Sequence, residues 1–270
     1  MNERRNGTTT RESNDISVQP AAAPIQDIPP AKKTGLPSGQ QTVAVYYTQK
    51  KNGSRFQAKR DNALLKDSLF VIRRNDIHHV ISENYYYKTE PYYTILRHEL
   101  EGKRVEPSSS AVLDAYVIPI CLSRLASAGI PVCEWGISQA YVPLPAILYG
   151  LNYFSTTLDY FVVNDNEKAK DVIKHITNNG KYPFCFQKYP EGSEIYTCTS
   201  IFGRTAGAGM PVADYAQKIY EIFFLPLVKM VFIKTGASYA ISSLSPTRYA
   251  QLSEGERALL SAYLSNQEFL

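Results

Sequence analysis

The most regular hydrophobic and polar pattern in this chain lies between residues 158 and 180. Residues 158–163 are a compact run of apolar, aromatic and β-branched side chains, which is typical of a buried strand. The polar residues that follow, centred on Asp165, suit a helix N-cap, and Gly180 suits a C-cap. Between the two caps, apolar side chains recur at i, i+3, i+4 and i+7, at Ala169, Val172, Ile173 and Ile176. The pattern predicts a strand that leads into a capped helix, and hence a mixed α/β core.

The chain after this helix alternates further strand and helix signals. Two apolar runs over 183–188 and 194–201, separated by a Pro-Glu-Gly turn, predict a β-hairpin. The spacing over 211–224 predicts a helix, and the apolar run over 219–233 predicts a buried helix that is bent at Pro226. A Ser-x-x-Glu capping box at Ser253 predicts a last helix. Residues 108–270 are therefore expected to form a mixed α/β domain with a helical C-terminal layer.

The first 107 residues divide by composition into two parts. Residues 1–41 are rich in Thr, Ser, Pro, Ala, Gln and Asn with almost no periodic apolar residues, which predicts a disordered tail. Residues 42–107 are basic and rich in tyrosine, and their patterns predict helices over 59–67, 75–82 and 91–101 with residues 102–107 as a wing. The fold class that these patterns predict is α+β, with a disordered tail, a small winged-helix-like unit and the α/β domain.

Composition narrows the class of protein only slightly. The 270 residues are 44% hydrophobic, which is enough for a substantial core, and carry a net charge of +4. No apolar run reaches the roughly 18 to 20 residues of a spanning helix, and the polar N-terminus does not resemble a secretory signal. We therefore expect a cytoplasmic protein that has no membrane partner. The four cysteines are widely spaced and are expected to be buried free thiols.

The basic segment is the first candidate for function. Residues 49–107 carry an excess of positive charge of about four. If this unit reads duplex DNA, Arg73, Arg74, Lys103 and Arg104 would contact the phosphates while an exposed helix enters the major groove. The alternative is a solvated basic face on a folding unit that binds no ligand.

Catalytic and metal-binding patterns are incomplete. The glycine-rich stretch over 203–209 lacks both the dinucleotide-binding and the phosphate-loop spacing, so a connector is expected there. Asp159, Asp165 and Glu194 are weak catalytic candidates, because carboxylates that converge at one end of a sheet can bind divalent cations. Their spacing does not establish that they converge. No metal site and no cofactor are predicted from the residues alone.

Two partial resemblances to known families extend these expectations. The segment from Tyr149 to Val162 resembles the nucleotide-binding strand of polymerase-β-like nucleotidyltransferases. In that family the tract carries an arginine, a serine and two strand carboxylates, and the carboxylates hold magnesium. Ser155 and Asp159 match that pattern, whereas Phe161 stands where the second carboxylate belongs. The resemblance implies an active or degenerate nucleotidyltransferase, with Mg²⁺ as cofactor only if that activity holds.

The second resemblance covers more of the chain. The order of several segments is similar to that of AbiE-type antitoxins and transcriptional regulators. These segments are the 59–107 unit, the tract over 136–151, the apolar runs over 183–201 and the segment over 210–223. It implies a DNA-binding regulator of a toxin-antitoxin system, with residues 108–270 contacting a protein partner. A third hypothesis is a viral or plasmid-borne structural or interaction protein with a flexible N-terminal arm.

Overall fold

The computed structural model describes residue 64 and residues 68–265, which form three antiparallel or mixed sheets and six α-helices. A mixed α+β architecture is therefore confirmed for this part of the chain. The predicted tail over 1–41 lies outside the described residues, and so does the predicted helix over 59–67 apart from Leu64.

The first sheet contains three strands in the order β1-β2-β3: β1 Phe70–Arg74, β2 Ile77–Ile81 and β3 Arg104–Glu106. The helix predicted over 75–82 is wrong, since Asn75 and Asp76 adopt positive φ angles in a two-residue hairpin turn and β2 follows them. Helix α1, Glu90–Leu100, confirms the helix predicted over 91–101. The described part of the predicted winged-helix unit is thus a small sheet with one helix.

Two short helices follow, α2 Ser109–Tyr116 and α3 Ile118–Ser127. The Ser108 hydroxyl accepts a hydrogen bond from the backbone N–H of Ala111 and caps α2. Extended backbone at Val117, two residues before Pro119, ends α2 and starts α3 at an angle of 98°. Within the described ranges no single helix is long and apolar enough to span a membrane, and only this bent pair meets the requirements of length and composition.

The second sheet has four antiparallel strands in the order β4-β7-β5-β6. Its strands are β4 Trp135–Ser138, β5 Ala146–Gly150, β6 Tyr160–Val163 and β7 Phe184–Lys188. Helix α4, Asn166–Ile176, follows β6 and is capped by the Asp165 carboxylate, which accepts a hydrogen bond from the N–H of Lys168. The strand and the N-capped helix predicted from residue 158 onwards are confirmed, whereas the C-cap is Thr177 rather than Gly180.

The third sheet has the order β10-β9-β8 and is built from β8 Glu194–Ile201, β9 Leu227–Thr235 and β10 Ser238–Ser245. Helix α5, Val212–Phe223, packs on one of its faces, and a 3-10 turn at Tyr249–Gln251 leads to α6, Glu254–Leu264. The capping box at Ser253 is confirmed. The C-terminal part is therefore a sheet with helices rather than a helical layer alone.

Two element predictions in this region are wrong. The buried bent helix over 219–233 is in fact the end of α5 and most of β9, because Phe224 takes a left-handed conformation and the chain turns there. The runs over 183–188 and 194–201 are both strands, but they do not form a hairpin. Strand β7 pairs with β4 and β5, whereas β8 pairs with β9 in another sheet.

A buried polar contact joins the second and third sheets. The Tyr149 hydroxyl on β5 lies 2.7 Å from the Ser242 hydroxyl and 3.2 Å from that of Ser243, at an irregularity in β10. The Gln187 side chain on β7 donates to the Ser242 carbonyl over 2.7 Å. All four residues are essentially inaccessible to solvent, so the contact fixes the two sheets against each other within an apolar interior.

Candidate functional site

A groove of about 550 Å³ lies between the α2–α3 corner and the chain that connects β5 to β6. One wall is formed by the end of α2 and the start of α3, and the other by Tyr149 and the 150–157 segment. Tyr86 and Tyr87 close one end. None of the lining residues carries a charged side chain, so the groove is apolar and aromatic with tyrosine, serine and threonine hydroxyls at its edge.

Large apolar side chains that line this groove are exposed, although folding normally buries side chains of this type. Phe154 is 82% exposed and Leu113 is 39% exposed. The exposed large apolar residues of the groove are Tyr87, Leu113, Val117, Ile120, Ile137, Tyr153 and Phe154. An apolar surface of this kind, concentrated around one cavity, is typical of ligand- and partner-binding sites.

Local hydrogen bonds hold the 150–157 segment in place. The Asn152 side chain accepts bonds from the N–H groups of Phe154 and Ser155 and donates to the Ile176 carbonyl at the end of α4, each over 2.8 Å. Gly150 packs so closely that a Cβ atom there would collide with the Ser155 hydroxyl. The sequence therefore builds this wall as a fixed loop.

Tyr86 ties the same segment to the chain that follows the first sheet. Its hydroxyl accepts a hydrogen bond from the backbone N–H of Thr157 over 2.6 Å and lies 2.7 Å from the Thr157 hydroxyl. Burial raises the pKa of Tyr86, so the phenol stays neutral. The end of the groove is thus held by a contact between positions 71 residues apart.

Two further polar groups lie at the groove: the Tyr116 hydroxyl in its lining and the Lys88 ammonium at its rim. Tyr116 is 9% exposed, and its hydroxyl has no hydrogen-bond partner in the part of the chain that the structure describes. The Lys88 ammonium is fully exposed at the rim, 5.4 Å from the ring centre of Tyr87 and 4.9 Å from that of Tyr153. A hydrogen bond with Tyr153 raises the pKa of Lys88, so it is cationic at neutral pH.

Three of the four predicted nucleic-acid contacts have side-chain partners among the described residues. Arg73 is paired with Asp76 in the β1–β2 turn, and Lys103 is paired with Glu101 over 2.5 Å. Arg74 lies 4.0 Å from the ring centre of Tyr263. It also donates to the Tyr263 carbonyl over 2.5 Å, which anchors α6 to the first sheet. Arg104 begins β3, and its carbonyl lies 3.3 Å from the His78 ring.

The three acidic candidates are likewise engaged locally. Asp159 accepts a hydrogen bond from the Thr156 hydroxyl just before β6, whereas Asp165 caps α4 just after β6, so a strand separates them. Glu194 starts β8 in the other sheet and is paired with Lys234. Among the described residues, no group of three or more His, Cys, Asp or Glu side chains could hold a metal ion.

The comparisons with known proteins give structural neighbours only. No family model matches the chain, and no curated protein matches it. A RimK domain ATP-grasp protein from Sphaerobacter thermophilus has a TM-score of 0.46 and 15% identity over 58% of this chain and 68% of its own. The ATP-grasp ligase PsnB, solved with a precursor variant, Mg and ADP, has a TM-score of 0.47 and 17% identity over 66% of each chain. D-alanine–D-alanine ligase from Bacillus anthracis has a TM-score of 0.49 and 11% identity, over 62% of this chain and 69% of its own.

These findings correct the family assignment. The chain spans about two thirds of the PsnB chain, and each of the three TM-scores is below 0.5, so the likeness assigns no activity to this chain. The similar structures are ATP-grasp ligases, which contradicts the resemblances to AbiE-type regulators and to polymerase-β-like nucleotidyltransferases. The predictions of a DNA-binding transcriptional regulator, a toxin-antitoxin role and a duplex DNA partner depended on those resemblances and on the winged-helix unit, and they are wrong.

Sequence reasoning singled out the segment from Tyr149 to Val162, which supplies one wall of the groove, but it did not identify the other groove residues. The run Tyr85-Tyr86-Tyr87-Lys88 was counted as part of a basic surface, although three consecutive tyrosines are a signal of aromatic recognition. Pro119 is a sequence signal for a break between α2 and α3, but the exposed apolar residues around it look like core positions in the sequence. Only the tertiary structure brings these segments to one cavity.

Proposed function

We propose that this protein is a binding protein that takes an apolar small molecule in the groove between α2–α3 and the 150–157 segment. The single observation that carries the proposal is the concentration of exposed aromatic and aliphatic side chains around one cavity of about 550 Å³. Pockets of this size and character are typical of small-molecule sites. The fixed loop wall supports the proposal, because a preformed site loses less conformational entropy on binding.

The chemistry of the site favours apolar over highly charged ligands. Transfer of each methylene group from water into such a groove contributes roughly 0.8 kcal/mol, so a medium-length chain or a pair of rings supplies most of the binding free energy. The lining hydroxyls add direction but little net affinity, since they exchange bonds with water for bonds with the ligand. A polyanion would find no charged lining residue to receive it.

The described part of the chain contains no cluster of three or more His, Cys, Asp or Glu side chains that would mark a magnesium nucleotide site. Mg²⁺ in nucleotide sites is held by carboxylates and phosphate oxygens. Asp159 is bound to Thr156 and has no partner carboxylate in a metal-binding group within residues 64 and 68–265. PsnB has been solved with Mg and ADP, so Mg-ATP is the competing ligand in the binding test.

The test is a binding measurement with decanol and with Mg-ATP on the full chain. Decanol should bind with one-to-one stoichiometry by calorimetry and should displace the fluorescent probe 1-anilinonaphthalene-8-sulfonate. Leu113→Asp should weaken decanol binding about tenfold or more, because it places a carboxylate in the apolar wall. The matched control is Leu100→Asp, a leucine that is 88% exposed on α1 and outside the groove, which should leave binding unchanged.

Two results would overturn the proposal. Decanol binding that is equally weak in wild type and both variants would mean that the groove takes no apolar ligand. Saturable Mg-ATP binding that neither decanol nor Leu113→Asp affects would assign a ligand to another place in the protein and favour an ATP-dependent enzyme.

A further inference from the structure

The rim of the groove carries an isolated positive charge. Lys88 is fully exposed and lies over the rings of Tyr87 and Tyr153, both of which line the groove. The described ion pairs do not include it, and the groove lining contains no carboxylate that would neutralise it. An ammonium held at the mouth of an apolar cavity attracts an anion there.

The position of Lys88 is set by the fold. It adopts a left-handed φ of +68°, and the next residue, Thr89, donates through its hydroxyl to the Tyr86 carbonyl over 2.6 Å ahead of α1. The two rings beneath the ammonium restrict its rotamers through cation–π attraction. This reduces the side-chain entropy that an ordinary surface lysine loses when it binds an anion.

We propose that the ligand is an apolar carboxylic acid, whose carboxylate lies against Lys88 at the rim and whose chain or ring occupies the groove. This inference rests on the proposed function, since it names the class of ligand for the same site. A neutral ligand of equal size gains the apolar contacts but leaves Lys88 in water, and a cationic ligand is repelled by it.

The experiment compares decanoate with decanol at pH 8, where the acid is fully ionised, at concentrations below those at which either aggregates. Wild type should bind decanoate roughly two- to fivefold more tightly than decanol, as expected for one exposed charge pair. Lys88→Gln should remove this preference, whereas Lys88→Arg should keep it. Raising the salt concentration from 20 mM to 500 mM should reduce the preference in wild type only.

Lys181→Gln is the matched control. Lys181 is an exposed lysine over a tyrosine ring, 5.4 Å from the centre of Tyr182, and neither residue lines the groove. This variant should keep the preference for decanoate. If wild type binds both ligands equally, or if Lys88→Gln and Lys181→Gln behave alike, the inference fails while the apolar site stands. If neither ligand binds, the proposed function itself fails.

Discussion

Removal of the Tyr149 hydroxyl should destabilise the protein by an amount that can be worked out from the contact between the second and third sheets. Tyr149→Phe keeps the ring, which packs among Ile118, Leu122 and Ile147, and deletes one oxygen atom. That oxygen lies within hydrogen-bond distance of two serine hydroxyls, at 2.7 Å and 3.2 Å. The substitution therefore leaves buried hydroxyls short of a partner while creating almost no cavity.

Two contributions determine the magnitude. Loss of the hydrogen bond itself costs roughly 0.5–1.5 kcal/mol, and a buried hydroxyl left without a partner costs about 1–3 kcal/mol. These overlap, because Ser242 and Ser243 can partly bond to each other or to backbone, so we expect a loss of roughly 1–3 kcal/mol. For a chain of this size that corresponds to a fall in Tm of roughly 3–10 °C.

Urea denaturation followed by circular dichroism measures this loss as a change in midpoint at constant m-value. The double variant Tyr149→Phe, Ser242→Ala removes both partners and should be less destabilised than the sum of the single variants, by about 1 kcal/mol. Tyr160→Phe is the control, since Tyr160 packs in the same cluster and its hydroxyl makes no hydrogen bond with the described residues. An unchanged midpoint for Tyr149→Phe, or strict additivity in the double variant, would refute the argument.

Three other perturbations have defined outcomes. Gly150→Ala should displace the Ser155 side chain, weaken decanol binding severalfold and lower the free energy of unfolding by roughly 1–3 kcal/mol. Unaltered decanol binding by calorimetry would contradict the close packing at Gly150. Ser253→Ala should cost about 1 kcal/mol in urea denaturation because it removes the cap of α6, whereas a change below about 0.3 kcal/mol would mean that α6 contributes little. Burial, followed by the positive charge of Arg74, lowers the pKa of His79 from 6.5 to about 4. The contribution of neutral His79 to the free energy of unfolding is therefore complete above pH 6.5 and falls as the pH drops towards 4. His79→Leu should flatten that part of the profile, and an identical pH dependence in wild type and variant would disprove the assignment.

Local signals in the sequence predicted several elements correctly. The caps at Asp165 and Ser253 are short-range features, so the helices that follow them could be identified without the fold. The hairpin turn at Asn75 and Asp76 was also local, but two histidines and β-branched residues after it were assigned to a helix. The error arose because short apolar runs fit both periodicities.

Other features depend on tertiary structure and left no local signal. Strands β7 and β8 are adjacent in sequence, yet each pairs with strands elsewhere in the chain. The groove unites segments around residues 86, 113 and 153, so its walls cannot be recognised before the fold is known. Residues such as Leu113 satisfy the pattern of a buried helix face, and only their exposure in the folded chain distinguishes the wall of a groove from a core.

The hydrogen bonds between Tyr86 and Thr157 make one edge of the cavity depend on a remote part of the polypeptide. A ligand that binds the intact cavity more tightly than the opened one must, by thermodynamic linkage, also stabilise the conformation in which residues 84–88 are hydrogen-bonded to Thr157. Occupancy should therefore slow amide hydrogen exchange in residues 84–88, including at amides that the ligand does not contact. Conversely, local detachment of residues 84–88 would open the cavity and release the ligand, so the residence time depends on the hydrogen bonds of the Tyr86 hydroxyl.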